Sequence, residues 1–93
     1  MEPRINVLEM RVLLAVDESA QGSPLGLAPL EAVYKAIPEV NRASIRTALK
    51  RLVGRGLITS PLRAGYMISP KGAEYIKNFK NEMDELRNAT EKT

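Results

Sequence analysis

Five basic side chains lie within one helix-length part of the chain and have no acidic neighbour there. The stretch reads SIRTALKRLVGRGLI at residues 44–58, and the cations in it or just before it are Arg42, Arg46, Lys50, Arg51 and Arg55. Surface helices usually mix both signs, because opposite charges three or four residues apart stabilise a helix and like charges repel. The pattern predicts that a partner supplies the negative charge, so the chemistry expected here is the binding of a polyanion.

The distribution of charge along the chain supports the same prediction. The net charge of the 93 residues is only +3, yet the segment 41–73 contains seven cations and no Asp or Glu. Arg63 and Lys71 complete this group. Cations clustered on one part of a fold are typical of a nucleic-acid site. The alternative interpretation is a solvated basic face that only keeps a small protein in solution.

The residue types that are missing narrow the possible chemistry. The chain has neither cysteine nor histidine, which removes disulfides, thiolate nucleophiles, imidazole bases and the usual zinc ligands. The acids Asp17, Glu18, Glu31 and Glu39 have no spacing that suggests a general acid and base. We therefore expect a protein that is not an enzyme and that uses no metal and no cofactor.

Composition and length predict one globular domain with a small core. With 44% hydrophobic and 27% charged residues, the chain is ordinary globular material. No apolar run approaches the ~18 residues that a membrane-spanning helix requires. The apolar stretch near the start is bracketed by Glu2 and Glu9, and no small-residue cleavage site follows it. We therefore expect no secretory signal, no membrane partner and a cytoplasmic location.

Hydrophobic spacing and turn residues predict four helices and one hairpin. The helices are expected at 5–18, 29–37, 41–55 and 70–88, and the hairpin at 57–69. Asn41 and Ser69 are suitable N-caps, and Gly56 fits a left-handed position just after a helix. The predicted fold class is therefore mainly α with a small β-hairpin (α+β), in the order α-α-α-β-β-α.

The helix at 41–55 has an apolar side and a polar side. Its apolar side is predicted to contain Ile45, Ala48, Leu49, Leu52 and Val53. Ala43, Thr47 and Lys50 lie opposite this stripe. The stripe should therefore pack on the core and leave the basic side exposed.

The segment 41–73 resembles part of a known family. NRASIRTALKRLVGRGLI followed by YMISPKGAEYI is similar to the recognition helix, wing and following segment of MarR-like and PadR-like transcription regulators of bacteria and archaea. The family pattern is Leu-x-x-x-Gly-Leu-Ile, then Tyr-x-Ile/Leu-Ser/Thr-x-Lys-Gly. It falls here on Leu52, Gly56, Leu57, Ile58, Tyr66, Ile68, Ser69, Lys71 and Gly72. The resemblance implies a winged helix-turn-helix fold, and the order of the predicted elements extends it over the rest of the chain.

The resemblance also implies where DNA is bound. The helix opened by Asn41 is expected in the major groove, and the hairpin tip with Arg63 is expected at the adjacent minor groove or backbone. A helical-wheel projection agrees with this expectation. It places Ala43, Thr47 and Lys50 away from the core and near the helix N-terminus, where base edges are usually read. The expected DNA-binding residues are Arg42, Ala43, Arg46, Thr47, Lys50, Arg51, Arg63 and Lys71. Arg42, Arg46 and Arg51 are better placed for phosphates, although an arginine can also bind a guanine through two hydrogen bonds. Thr47 can offer a methyl group to thymine or a hydroxyl to a base or a phosphate.

An apolar seam along the last predicted helix indicates a homodimer. Ile76, Phe79, Met83 and Leu86 are spaced 3, 4 and 3 residues apart, as in a short coiled coil. Met83 lies ~20 Å beyond the helix start at 1.5 Å per residue, past the expected edge of a small body. The expected dimer interface contains Ile5, Leu8, Phe79, Met83 and Leu86. The alternative is packing of the whole seam onto the first helix of the same chain.

The sequence therefore predicts specific binding of double-stranded DNA by a homodimeric transcriptional regulator. A small-molecule effector is not expected, because the chain lacks much of the extra helical material that forms the ligand pocket of MarR-like regulators. Two alternatives stay open. One is an architectural, chromatin-like protein that binds DNA with little sequence preference, and the other is a winged-helix module that binds proteins through the same face.

Overall fold

The computed structural model describes residues 5–61 and 65–91. The described residues form the helices α1 (Val7–Gln21), α2 (Leu30–Ala36), α3 (Arg42–Gly54) and α4 (Pro70–Glu91) and the strands β1 (Ile58–Thr59) and β2 (Met67–Ile68). The two strands pair antiparallel, with Ile58 opposite Ile68 and Thr59 opposite Met67. The prediction of a mainly α chain with a small hairpin is confirmed. None of the described helices is both long enough and apolar enough to cross a lipid bilayer.

The start of α1 lies later than predicted, and the reason is a capping box. The side chain of Asn6 accepts a hydrogen bond from the backbone N–H of Glu9 at 2.7 Å, and the Glu9 carboxylate accepts one from the Asn6 N–H at 3.0 Å. This reciprocal pair satisfies two N–H groups that a helix start otherwise leaves without partners. The helix then continues to Gln21, beyond the predicted end at residue 18, and stops at Gly22.

The core is built around α1, which packs against the inner faces of α2 and α3 and against the sheet. Its innermost side chains are Val12, Leu13, Val16, Val33, Ile45, Leu49, Leu52 and Ile58. Burying an aliphatic side chain of this kind contributes about 1.5–3 kcal/mol, so this contact between helices is the main support of α3. Helix α2 is shorter than predicted, because Pro29 precedes its first turn as N-cap and Ile37 leaves helical geometry.

A glycine turn ends α3 and sends the chain into β1. Gly56 has φ +74°, and its N–H donates to the Val53 carbonyl at 3.0 Å, while the Leu57 N–H donates to the Leu52 carbonyl at 3.0 Å. These two bonds define a Schellman motif, which confirms the predicted role of Gly56. The prediction for Val53 is wrong, because its side chain is 40% exposed at the edge of the apolar stripe.

The hairpin is joined by a third segment that the sequence analysis missed. Ala28, in the loop before α2, forms an antiparallel bridge with Tyr66 through hydrogen bonds of 2.8 and 2.9 Å. Gly65 lies against this bridge, since a Cβ at that position would be 2.9 Å from the Ala28 carbonyl oxygen. Residues 62–64 at the hairpin tip, including Arg63, lie outside the described residues.

The first turn of α4 is pressed against the start of β1. Ser69 acts as the predicted N-cap, since its hydroxyl oxygen accepts from the Gly72 N–H at 3.0 Å, and this hydroxyl also donates to the Gly56 carbonyl. Gly72 packs so closely that an added Cβ would lie 2.0 Å from the Leu57 carbonyl oxygen. Only glycine fits at this position. The resulting contact fixes the direction in which α4 leaves the body.

Helix α4 then extends away from the core. Ile76 is buried and Phe79 is half-buried, whereas residues 81–89 are all exposed. The helix ends at Glu91 and so is longer than the predicted 70–88. Its projection helps to explain the principal extents of 48 × 29 × 27 Å.

Candidate nucleic-acid interface

The exposed side of α3 collects six of the predicted site residues on one surface. All six are exposed, and we call this surface the basic face: Arg42, Ala43, Arg46, Thr47, Lys50 and Arg51. The opposite side of the helix is buried through Ile45, Ala48, Leu49 and Leu52, which holds the basic face outward. Asn41 begins the helix by accepting from the Ala43 N–H at 2.7 Å, as predicted. No acidic residue occurs within α3.

The basic face has two small side chains and one lysine along its centre and an arginine at each edge. At 100° per residue, Ala43, Lys50 and Thr47 form the central line, and Arg46 and Arg51 lie on either side of it. Small central residues let a helix approach a groove closely, while long flanking cations reach outward to phosphates. The arrangement suits a helix that enters a groove with one arginine toward each wall.

Arg42 is held at the N-terminal end of the basic face by an aromatic ring. Its guanidinium carbon lies 4.8 Å from the centre of the Tyr34 ring on α2. Such a cation–π contact stabilises the pair and restricts the long side chain to the side of α3 that faces α2. Arg42 is therefore kept off the central line.

The hydroxyl of Thr47 is used within α3. Its Oγ1 donates to the Ala43 carbonyl at 3.0 Å, one helical turn earlier. The side chain is otherwise exposed, so the groups that it can present to a partner are its methyl group and an oxygen lone pair. The sequence left open whether Thr47 offers a methyl group or a hydroxyl proton, and this bond favours the methyl group.

One cation of the cluster has a carboxylate partner that the sequence analysis missed. Arg55 Nη1 lies 3.6 Å from Glu9 Oε1, and Glu9 is only 2% exposed. The interpretation that no carboxylate meets these cations is therefore wrong for Arg55, because the fold brings the acid from α1. The signal that could have found Glu9 is the Asn6-x-x-Glu9 spacing of a capping box.

Lys71 lies beside the C-terminal end of α3. Its Nζ donates to the Arg55 carbonyl oxygen at 3.3 Å. A cation is favourable at a helix C-terminus, where carbonyl groups carry partial negative charge. This contact offsets the unfavourable position of Lys71 in the first turn of α4, and so gives the residue a structural role. Its predicted contact with DNA stays a prediction, as does that of Arg63.

A shallow groove of about 290 Å³ runs along one side of the basic face, between α3 and the start of α1. Its lining is mostly aliphatic or small, with the buried Glu9 and one flanking arginine: Asn6, Leu8, Glu9, Ala43, Ser44, Thr47, Ala48 and Arg51. The Glu9 Oε2 atom is buried, and within residues 5–61 and 65–91 no group donates a hydrogen bond to it. We call this the α1–α3 groove.

A second, larger groove of about 610 Å³ lies between α1 and α4. Its apolar lining is contributed by both helices and by the residue before α1: Ile5, Val7, Met10, Leu14, Tyr75 and Phe79. Of the predicted dimer residues, Ile5, Leu8 and Phe79 are half-buried, while Met83 is 50% and Leu86 63% exposed. We call this the α1–α4 groove.

A scan of the chain against models of protein families gave no match, and a search of curated proteins also found no relative.

Proposed function

We propose that this chain is a winged-helix protein that binds double-stranded DNA through the basic face of α3. The observation that carries the proposal is the pattern of that face, a central line of small residues and Lys50 between Arg46 and Arg51. In this arrangement α3 lies in the major groove, and the flanking arginines neutralise phosphates on either side. The hairpin β1–β2 serves as the wing.

The salt dependence of binding tests this proposal. We expect the protein to bind a mixed-sequence 30-base-pair duplex with an affinity that falls by about 0.9 log units per log unit of salt for each phosphate contacted. Arg46→Ala should weaken binding to all sequences and reduce that slope by about 1, because one phosphate contact is lost. Fluorescence anisotropy of labelled duplex over a range of salt concentrations measures both quantities.

The matched control for Arg46→Ala is Lys35→Ala, which removes one positive charge from the exposed surface of α2 instead. It should leave the slope unchanged. An equal fall in slope for both variants would show that only net charge matters, and absence of binding at low salt would overturn the proposal.

We further propose that the protein acts as a homodimer joined through α4. Along this helix the apolar stripe passes from buried Ile76 to half-buried Phe79 and then to the exposed side chains of Met83 and Leu86. Among the described residues, 81–89 are all exposed, and an exposed apolar stripe is a favourable site for a partner surface. The apolar lining of the α1–α4 groove in a second copy supplies a surface on which the side chains of Met83 and Leu86 can pack.

The charges of α4 favour a second copy in the antiparallel orientation. The lysines Lys71, Lys77 and Lys80 lie in its first half, and the acids Glu82, Asp84 and Glu85 lie in its second half. When two copies of α4 run in opposite directions, the acid-rich half of each lies opposite the lysine-rich half of the other, and opposite charges attract across the interface.

Solution mass tests the homodimer. The chain has a mass of 10.3 kDa, so the wild type should behave as a particle of twice that mass. Met83→Glu combined with Leu86→Glu should give the single-chain mass, because two charges would be buried without partners. Light scattering coupled to gel filtration measures the mass, and circular dichroism checks that the helices remain.

Leu25→Glu is the matched control, since Leu25 is 76% exposed but lies in the loop after α1. This variant should stay dimeric. A wild type that has the single-chain mass at micromolar concentration would contradict the homodimer.

Two-fold symmetry makes a regulator the favoured biological role. Two copies of α3 related by the axis would meet successive major grooves about 34 Å apart, which requires a palindromic or nearly palindromic site. Selection of bound sequences from random duplexes should recover such a site. If the bound duplexes share no common sequence and all bind with equal affinity, the architectural role would be favoured instead.

A further inference from the structure

The proposed DNA-binding face has an aliphatic strip within it, and this strip is formed by the methyl groups of Ala43 and Thr47. The two residues are one helical turn apart on the central line of α3. The Thr47 hydroxyl already donates to the Ala43 carbonyl, so a contact from this hydroxyl to a phosphate or a base would replace a bond within α3. The methyl group of Thr47 can contact a partner without that exchange.

The α1–α3 groove extends this strip. Leu8 and Ala48 add aliphatic surface beside Ala43 and Thr47. The groove also contains the carboxylate of Glu9, which is buried and already paired with Arg55, so among the lining residues only Arg51 offers its charge to an anion. A small apolar group therefore suits this groove better than an anion does.

The major groove of DNA offers one apolar group of this size, the methyl group on C5 of a pyrimidine. Thymine carries it in unmodified DNA, and 5-methylcytosine carries the same group in methylated DNA. Amino-acid side chains that end in methyl groups, such as those of Ala and Thr, are the ones that contact it in known complexes.

We infer that the aliphatic strip formed by Ala43 and Thr47 reads the C5-methyl group of a pyrimidine, and that Thr47 is therefore a residue that determines specificity. This inference rests on the proposed function, since it requires α3 to lie in the major groove. It assigns the arginines at the edges to phosphates and the methyl groups at the centre to base identity.

Deoxyuridine tests the inference, because it differs from thymidine only by the absence of the methyl group. A duplex selected from random sequence is prepared again with each thymidine replaced in turn by deoxyuridine. At one or two positions the wild type should bind about fourfold more weakly, equal to about 0.8 kcal/mol for one methyl group. Deoxycytidine at that position, paired with deoxyguanosine, should also weaken binding. Its 5-methyl derivative, 5-methyldeoxycytidine, should recover part of the loss.

Thr47→Ser and Thr47→Val separate the methyl group from the hydroxyl. Serine keeps the hydroxyl that bonds to the Ala43 carbonyl but lacks the methyl group, so this variant should discriminate between thymidine and deoxyuridine duplexes less than the wild type does, and any remaining preference would come from Ala43. Valine keeps the methyl group of threonine and has a second methyl group in place of the hydroxyl, so discrimination should persist. Thr47 is exposed, and both variants should melt close to the wild type by circular dichroism.

Three outcomes decide between the possible failures. Binding that responds to no thymidine replacement would overturn the inference and leave the proposed function intact. Full discrimination by Thr47→Ser would also overturn it, because another residue would then read the methyl group. Absence of binding to any duplex would overturn the proposed function and this inference together.

Discussion

Replacing Gly72 with alanine is expected to lower the free energy of unfolding by about 3 kcal/mol, the upper part of the range for overpacked sites. The added Cβ would lie 2.0 Å from the Leu57 carbonyl oxygen and 3.2 Å from a methyl carbon of Ile68. A backbone carbonyl cannot turn aside as the end of a long side chain can. The first turn of α4 must therefore move away from β1, which also disturbs the hydrogen bond from the Ser69 N–H to the Leu57 carbonyl.

Thermal and urea denaturation followed by circular dichroism measures this change. For a domain of this size, 3 kcal/mol corresponds to a fall in Tm of roughly 12–24 °C. Gly54→Ala is the matched control, because Gly54 ends α3 and, apart from its chain neighbours and the backbone of its own helix, no atom of the described residues lies within 4 Å of the position of its added Cβ. That variant should be unchanged or more stable by about 0.5–1 kcal/mol. Equal stability of the two variants would contradict the close packing at Gly72.

Replacing Glu9 with alanine is expected to lower the free energy of unfolding by about 2–3 kcal/mol. The substitution removes the acceptor for the Asn6 N–H at the start of α1, and loss of a helix cap costs about 1 kcal/mol. It also leaves Arg55 without its carboxylate partner, and an uncompensated charge that is partly buried costs further free energy. Because the Arg55 side chain is only partly buried, the total should stay below the value for a fully buried pair.

Two further substitutions separate these contributions to the stability. Glu9→Gln keeps an oxygen acceptor for the cap and removes only the charge, so its loss of stability should be smaller than that of Glu9→Ala. Glu18→Ala changes an exposed acid on the same helix and should have an effect within about 0.5 kcal/mol. Urea denaturation gives all three values. A Glu9→Ala variant as stable as Glu18→Ala would show that the buried carboxylate contributes nothing.

Local signals in the sequence predicted most of the fold. The N-caps Asn41 and Ser69 and the left-handed Gly56 each act within a few residues, so their types and positions are enough to predict where an element starts or stops. The buried side of α3 followed from the 3.6-residue period, except for Val53 at its edge. These features depend on neighbours along the chain rather than on the tertiary fold.

Contacts between distant segments could not be predicted in the same way. The pairing of Ala28 with Tyr66 joins residues whose closeness depends on how α2 and the hairpin pack. Glu9 meets Arg55 for a similar reason, because α1 lies across the C-terminal end of α3. In the candidate site the sequence therefore predicted the exposed cations of α3 but not the acid beside them or the groove that contains it. The contact of Arg63 with DNA remains a prediction, since this residue lies outside the described residues.

The C-terminal end of α3 is attached to both neighbouring helices. Glu9 of α1 contacts the Arg55 side chain, Lys71 of α4 binds the Arg55 carbonyl, and Ser69 binds the Gly56 carbonyl. We expect these contacts to hold the first turn of α4 at a fixed angle to the end of α3. In the proposed dimer, the two reading helices would then keep a fixed angle about the symmetry axis. Each base pair inserted between the half-sites rotates one half-site by about 34° around the duplex. A dimer whose two α3 helices keep a fixed angle would have to twist the DNA to contact both half-sites.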